Sequence, residues 1–292
     1  MSAVAELQGL RSGGRFSSDE NDDDLLFFER DGGLLRSRAR GVIRLSGYLV
    51  FTLFCVALQL VFMGLRLPIA KRFPRLYHRG CAKFLGFKIV VKGQRRKQAP
   101  TLFVCNHISY SDITMLGAII PGCFVAKSEV ETWPAFGFLA KLQRTVFIKR
   151  QRGEAGRQSS ALIERLQAKD SLILFPEGTS SDGTRVLPFK SSLFAVAEMA
   201  PEGVDLQVQP VSIAYTKLNG IPLGRNLRPF TGWFGDMDLM PHLWDLTSLG
   251  TIEVQIKFHE PLDSHAASNR KEMAKQAWEA VSSGVINANR GH

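Results

Sequence analysis

Short apolar runs alternate with amphipathic stretches along most of the chain after about residue 86. Strand-like runs cover residues 87–91, 102–105, 123–126, 145–149 and 172–175. Helix-like stretches cover residues 113–120, 134–142, 154–169 and 269–286, and segments 191–199, 206–214 and 251–258 complete the pattern. Such alternation predicts an α/β fold with a mostly parallel central sheet flanked by helices. We assign residues 81–292 to this domain.

One apolar segment stands apart from this alternation. Residues 45–65 carry no charge and are long enough to cross a hydrocarbon core of about 30 Å. Basic residues flank it on both sides: Arg36, Arg38, Arg40 and Arg44 before it, and Arg66, Lys71, Arg72 and Arg75 after it. Residues 34–80 therefore read as a membrane-attachment segment, arranged as a single span, as a helix that dips into one leaflet, or as a helical pair in the interface. A buried core helix is the alternative.

The charge distribution supports the same division. The net charge is +10, yet residues 25–100 hold sixteen basic and two acidic side chains, while residues 101–292 are balanced. Residues 1–33 include an acidic run poor in apolar side chains, which predicts disorder. Basic residues around an apolar segment favour anionic lipid headgroups, and no motif points to nucleic acid. We expect attachment to the cytoplasmic membrane, with the larger domain facing the cytoplasm.

The most informative polar pair is His107 and Asp112, which follow the strand-like run 102–105. Five residues on a continuous helix turn through roughly 140°, so the two side chains meet only if His107 lies in a turn before the helix. We predict Ser109 or Ser111 as the helix N-cap. A histidine oriented by a carboxylate can accept a proton from a hydroxyl at neutral pH.

A second turn presents another carboxylate. Residues 171–175 form a short apolar run that leads into Pro176, Glu177 and Gly178. Proline and glycine favour a tight turn, which would present the Glu177 carboxylate and the following backbone N–H groups at a strand end. Ligands of open α/β sheets collect at such ends.

Together the two motifs resemble those of the lysophospholipid acyltransferase family, which includes 1-acylglycerol-3-phosphate acyltransferases. The resemblance covers about residues 80–260. Its N-H-x-S-x-x-D block matches fully, at Asn106, His107, Ser109 and Asp112. The G-x-x-F-I-x-R block matches at Phe147, Ile148 and Arg150, with Arg144 in place of glycine. The F-P-E-G-T-R-S block matches from Phe175 to Thr179 and at Ser181, with Ser180 in place of arginine, and Pro210 fits a fourth block.

The resemblance implies transfer of a fatty acyl group from a thioester donor, acyl carrier protein or acyl-CoA, to the hydroxyl of a lysolipid. It implies His107 as the base and Asp112 as the group that orients it, with direct transfer and no covalent acyl-enzyme. It also implies substrate contacts at Asn106, Ser109, Arg150, Glu177, Gly178 and Thr179. Lys127, Lys190 and Arg185 are further candidates for headgroup or phosphate contacts.

The departures from the family pattern bear on the acceptor. An arginine in the third block would suit a phosphate, which guanidinium binds in a two-pronged way, and Ser180 cannot do so. The run from Phe175 to Phe194 resembles that of lyso-ornithine lipid acyltransferases, whose acceptor has a hydroxyl on an amide-linked fatty acid and no phosphate. We therefore expect lyso-ornithine lipid as acceptor, with lysophosphatidic acid as the alternative. Arg185 would then replace the missing charge; the alternative is that it is a solvated arginine of the loop.

Other function classes find less support in the sequence. A Ser-His-Asp hydrolase is disfavoured because no G-x-S-x-G motif is present. The cysteines and histidines show no metal-ligand spacing, so we predict neither a metal nor a cofactor. A catalytically silent lipid-binding protein remains an alternative of another class. Five aromatic residues are available to line an acyl channel, or simply to fill the core: Phe124, Trp133, Phe136, Phe138 and Phe147.

Overall fold

The structure, a computed structural model, describes residues 36–98, 100–148, 155–198, 204–262 and 269–291. The predicted disorder of residues 1–33 and the candidate Arg150 lie outside these ranges. The helices are α1 (Arg38–Gly64), α2 (Phe73–Phe84), α3 (Ser111–Ile119), α4 (Phe136–Leu142), α5 (Ala155–Gln167), α6 (Ala195–Glu198), α7 (Leu239–Ser248) and α8 (Arg270–Asn289). The strands are β1 (Phe87–Lys92), β2 (Thr101–Cys105), β3 (Gly122–Lys127), β4 (Val146–Ile148), β5 (Ser171–Leu174), β6 (Gln207–Leu218), β7 (Ile221–Pro222) and β8 (Ile252–Phe258).

The eight strands form a single sheet in the order β1-β8-β6-β2-β5-β3-β4, with the short β7 paired to β6. Every pairing is parallel except those of β6 with β8 and with β7. Strands β8 and β1 therefore run against the other main strands. The predicted α/β class with a mostly parallel sheet is confirmed.

Both faces of the sheet are covered, because the central strands bury alternate side chains on opposite sides. In β2, Leu102 and Val104 join one core cluster, while Phe103 and Cys105 join the other. All five residues of β2 and all four of β5 are buried. Successive strand residues point to opposite faces, so an uninterrupted apolar run is what a strand between two helical layers requires.

Several element boundaries differ from the prediction. Helix α3 begins two residues earlier than expected, and β6 continues four residues past 214. Helix α4 begins at Phe136 and not at the proline, since Ala135 adopts a φ of 60° and breaks the helical path before it. The sequence analysis assigned no separate helix to the residues of α2 or of α7.

Helix α1 has 27 residues and would reach about 40 Å at the usual rise per residue. Its distribution of polar and apolar side chains is the reverse of that in an amphipathic helix of a soluble protein. The residues facing the protein include Gly41, Thr52, Cys55 and Gln59, whereas many of its large apolar side chains are exposed: Val42, Ile43, Leu49, Val50, Leu53, Phe54, Leu60, Val61 and Met63. Only 11% of its most apolar window is buried, which disfavours a core helix and suggests membrane association.

The basic residues before the apolar segment do not all face outward. The Arg44 guanidinium donates to the carbonyl oxygens of Leu249 and Gly250 at 2.8 and 3.1 Å, and Arg40 donates to that of Ser248 at 3.4 Å. These carbonyls lie at the C-terminal end of α7, where a cation is favoured. The expectation that this whole flank meets headgroups is therefore wrong for Arg44, which fixes α1 to the larger domain.

Candidate active site

The turn between β2 and α3 holds His107 against Asp112. His107 Nδ1 lies 2.8 Å from Asp112 Oδ2, and the same oxygen accepts the backbone N–H groups of Ile108 and Ser109 at 2.7 and 2.9 Å. The Asp112 side chain is fully buried, and that of His107 is 20% exposed. Because the carboxylate can only accept, Nδ1 carries the proton and Nε2 keeps its lone pair for another partner.

The other oxygen of Asp112 has a partner that the sequence analysis missed. The Tyr215 hydroxyl donates to Asp112 Oδ1 at 2.8 Å and lies 2.8 Å from Ser111 Oγ. Burial raises the pKa of Tyr215 well above its usual range, so the phenol stays a donor. Asp112 thus receives four hydrogen bonds, which offsets the cost of burying its charge. The only sequence signal for Tyr215 was a tyrosine in an otherwise apolar stretch.

The predicted N-cap is wrong. The residue before α3 is Tyr110, and no side chain caps the helix. The Asp112 carboxylate instead accepts the N–H groups of Ile108 and Ser109 in the preceding turn, and the Ser109 hydroxyl lies 3.4 Å from the Ser111 N–H. Ser109 lies in the turn, Ser111 is the first residue of α3, and both are buried.

Glu177 supports the same turn from the β5 side. Its Oε1 accepts the His107 backbone N–H at 2.9 Å, and its Oε2 accepts that of Leu187 at 3.2 Å. The side chain is 1% exposed, and this burial raises the pKa of Glu177 to about 8, although the two N–H donors oppose the shift. Glu177 therefore contacts the backbone of the His107 turn, and its carboxyl is buried away from solvent.

Two aromatic rings pack behind the imidazole. The ring of Phe175 stacks on that of His107 with centroids 4.1 Å apart and planes 19° apart, and Phe124 stacks on Phe175 at 6.1 Å. This stacking and the Asp112 contact together fix the orientation of the imidazole.

Asn106 and Ser109 lie in the base of the turn. The Asn106 amide exchanges two hydrogen bonds with the backbone of Ile213, at 3.0 and 2.9 Å, and so ties β2 to β6. Asn106 is 1% exposed and Ser109 is fully buried. Both positions suit fixing the turn better than touching a substrate.

The remaining candidates follow Glu177 along one loop. Gly178 adopts a φ of 70°, and its N–H donates to the Phe175 carbonyl at 3.1 Å, so this donor is already engaged. Three exposed residues follow further along this loop: Thr179, Arg185 and Lys190. The structure thus brings Asn106, His107, Ser109, Asp112 and Glu177 into one cluster and leaves these others on the surrounding loop.

Arg144 illustrates why a glycine is usual at its position in the family pattern. Arg144 adopts a φ of 65°, in the left-handed region that glycine enters without steric cost. Here the guanidinium forms a two-pronged ion pair with the Asp170 carboxylate, with one of the two contacts at 3.4 Å. That pair compensates for the strained backbone.

An apolar cavity of about 190 Å³ adjoins the turn. It is lined by α1, α2, the start of α3, β3 and α4, and Tyr110, Ser111 and Phe124 connect it to the His107 turn. Of the five aromatic candidates for an acyl channel, Phe124 and Phe136 line it. Trp133 and Phe138 are exposed instead, and Phe147 lies on β4 outside the lining.

All four cysteines are free and buried. Burial raises the pKa of Cys105, next to the turn, well above its usual range, so its thiol is a poor nucleophile. Within the described ranges, no three histidine, cysteine, aspartate or glutamate side chains are placed to hold a metal ion.

Comparison with known proteins identifies relatives of this chain. A family model described as "Acyltransferase" matches residues 88–214. The lyso-ornithine lipid O-acyltransferase of Brucella abortus is 43% identical over 243 residues, which cover 80% of this chain and 91% of that protein. The lyso-ornithine lipid O-acyltransferase of Rhizobium meliloti is 40% identical over 229 residues, covering 77% and 78%.

A solved structure extends the similarity to the fold. The 1-acyl-sn-glycerophosphate (LPA) acyltransferase PlsC of Thermotoga maritima superposes with a TM-score of 0.57 at 25% identity, covering 85% of this chain and 97% of that one. The match includes most of the chain, and the chain covers 91% and 78% of the two relatives above. The chain therefore belongs to the acyltransferase family whose members move acyl groups onto lysolipids.

Proposed function

We propose that this lysolipid acyltransferase acylates the hydroxyl of lyso-ornithine lipid, with His107 as the general base. The observation that carries the proposal is the buried Asp112 carboxylate on His107 Nδ1, which leaves Nε2 as the proton acceptor. Such an arrangement is expensive to bury and serves proton transfer; binding a lipid would not require it. This argues against a catalytically silent lipid-binding protein.

The chemistry is direct transfer. Nε2 of His107 takes the hydroxyl proton as the lipid oxygen attacks the thioester carbonyl, and Asp112 stabilises the imidazolium that forms. The tetrahedral intermediate collapses and expels the thiolate, which receives the proton back from the imidazolium. Ser109, the serine closest in sequence, is fully buried and holds the turn, which supports a mechanism without an acyl-serine.

The acyl chain is assigned to the apolar cavity. Its walls include Phe124, Leu139 and Ala140, and it meets the catalytic turn at Ser111. Burial of an alkyl chain there contributes about 0.8 kcal/mol per CH₂. The donor is a thioester of acyl carrier protein or of coenzyme A, both of which a basic surface attracts.

Two observations favour lyso-ornithine lipid over lysophosphatidic acid as acceptor. The two lyso-ornithine lipid enzymes are 43% and 40% identical to this chain, whereas the lysophosphatidic acid enzyme of known structure is 25% identical. Ser180 occupies the position at which the family pattern has a phosphate-compatible arginine. Arg185, exposed on the same loop, and Lys190 are the cations nearest in sequence to meet the acceptor's carboxylate.

We further propose that α1 attaches the enzyme to the cytoplasmic membrane with the catalytic domain on the cytoplasmic side. The exposed apolar face of α1 supports attachment, and its fixed contact with α7 would keep the catalytic turn near the bilayer surface. A lysolipid acceptor already resides in that surface. Labelling of an engineered cysteine at exposed Ser192 in sealed inner-membrane vesicles and in spheroplasts would test the orientation.

The test of the function uses purified protein in vesicles with a radiolabelled acyl donor, supplied either as acyl carrier protein or as acyl-CoA. The acceptors are lyso-ornithine lipid, lysophosphatidic acid and lysophosphatidylcholine. We expect ornithine lipid as the main product and none with His107→Ala at an unchanged melting temperature. Exclusive formation of phosphatidic acid would contradict the proposed acceptor. Turnover by His107→Ala would contradict the assignment of His107 as the general base.

A further inference from the structure

Three loops are fastened to one another around His107. The Ser181 backbone N–H and hydroxyl donate to the His107 carbonyl at 2.8 and 3.1 Å. The Trp233 N–H donates to the Ile108 carbonyl at 2.9 Å, and the Ser180 hydroxyl donates to the Trp233 carbonyl. The loop that contains Trp233 is thus held on both sides, by the catalytic turn and by the loop after Glu177.

Ser180 has a defined task in this arrangement. Ser180 occupies the position of an arginine in the family pattern, and its hydroxyl already donates a hydrogen bond to the Trp233 carbonyl. Arginine at this position would offer a phosphate two parallel N–H donors, and serine offers none. The replacement of arginine by serine therefore removes a side chain that could bind a phosphate and provides a hydrogen bond that holds the Trp233 loop.

The anchored loop assembles an aromatic cluster at the rim of the site, which consists of Tyr110, Trp133 and Trp233. The ring of Trp233 lies 5.8 Å from that of Tyr110 and 6.3 Å from that of Trp133, both edge to face. Tyr110 is three residues from His107 and also lines the apolar cavity. Trp133 is 42% exposed, so the cluster is open to solvent. Faces of tryptophan and tyrosine attract ammonium groups.

The local charge suits a cation. Asp236 and Asp238, on the same loop as Trp233, are exposed, although the chain as a whole carries a net charge of +10. Arg228, five residues before Trp233, donates to the Asn289 carbonyl at 2.8 Å and is directed to the end of α8. Two carboxylates on the loop that carries Trp233 favour the approach of an ammonium group over that of a phosphate.

We propose that the aromatic cluster receives the primary ammonium group of the acceptor's headgroup and that Ser180 is the positioning residue that holds Trp233 there. This rests on the proposed acceptor, since ornithine linked through its α-amide keeps a side-chain ammonium and a carboxylate and has no phosphate. The subsite discriminates among acceptors by binding, so it affects KM far more than kcat.

The experiment compares lyso-ornithine lipid with the same lipid after N-acetylation of its side-chain amine, which removes the positive charge and adds a small neutral acetyl group. We expect the wild-type KM to be about tenfold lower for the cationic form, in line with a well-placed cation–π contact. Trp233→Leu should raise the KM for the cationic form to that of the acetylated one, with kcat within about twofold. Trp233→Phe should retain part of the difference.

Ser180 is tested with the same pair of acceptors. Ser180→Ala should lose part of the discrimination, and Ser180→Thr, which keeps the hydroxyl, should restore it. Trp244→Leu is the control, because Trp244 is a partly exposed tryptophan of α7 outside the cluster. Trp244→Leu should change the KM for both acceptors by the same factor.

The outcomes separate the two proposals. If the wild type uses lyso-ornithine lipid and Trp233→Leu keeps the full preference for the cationic form, the subsite is wrong and the proposed function stands. A wild type that acylates lysophosphatidic acid alone would overturn both. Thermal melting of each variant shows whether a KM change accompanies intact folding.

Discussion

Replacing Asp112 with asparagine separates the charge of this side chain from its shape. The amide oxygen can take the place of Oδ2 and accept the N–H groups of His107, Ile108 and Ser109. The amide NH₂ then faces the Tyr215 hydroxyl, which accepts it and donates its own proton to a neighbouring serine 2.8 Å away. All hydrogen bonds are retained, so the fold and the tautomer of His107 are preserved.

What asparagine removes is the negative charge beside the imidazolium. Hydrogen bonds to charged groups contribute about 1.5–3 kcal/mol net, against about 1 for neutral ones, and full burial of Asp112 strengthens the charge effect. We expect a loss of about 3–4 kcal/mol in transition-state stabilisation. At 1.36 kcal/mol per factor of ten, kcat should fall by about 10²–10³.

The assay measures kcat with saturating acyl donor and lysolipid for Asp112→Asn, His107→Ala and the double variant. If the two side chains act as a unit, the double variant is no slower than His107→Ala. Asp112→Ala provides the contrast, because it leaves two buried N–H groups without acceptors and should lose about 1–3 kcal/mol of stability for each. A kcat for Asp112→Asn above a tenth of the wild-type value would refute the reasoning and reduce Asp112 to a structural acceptor of the turn.

Three further predictions follow from the site. Because the pKa of Glu177 is raised to about 8 from 4.5, the folded state holds an extra proton between these values, so its stability falls as pH rises through this window, by at most about 1.4 kcal/mol per unit. Urea denaturation of Glu177→Gln should lack this slope, and parallel profiles for the two proteins would contradict it. Tyr215→Phe removes a donor to Asp112 and should lower kcat about tenfold or more with little change in KM, whereas a KM effect alone would argue against its role. Ala140→Phe fills part of the cavity and should shift the preference toward shorter acyl donors, and an unchanged chain-length profile would place the acyl group elsewhere.

Much of the site could be predicted because its central contact is local. His107 and Asp112 are five residues apart, and a turn followed by the first turn of a helix brings such residues together without help from the rest of the chain. The strand before His107 and the Pro-Glu-Gly turn were likewise visible in apolar runs and turn residues. The alternation of elements determined the fold class.

Tertiary structure decided the partners that lie far apart in sequence. Tyr215 reaches Asp112 across 103 residues, Glu177 reaches the His107 backbone across 70, and Ser180 reaches Trp233 across 53. These pairs depend on which strands are neighbours in the sheet and on how loops cross its edge. Periodicity along the chain carries no information about either.

The N-terminal segment shows the same division. Its length and lack of charge are properties of the sequence and predict a lipid-facing helix. Only the folded chain shows that Arg44 binds the end of α7 and that the inner face of α1 encloses the cavity beside the catalytic turn. A hydrophobic pattern fixes which side of a helix avoids water, while the partner it packs against is chosen by the shape and the unsatisfied polar groups of the rest of the protein.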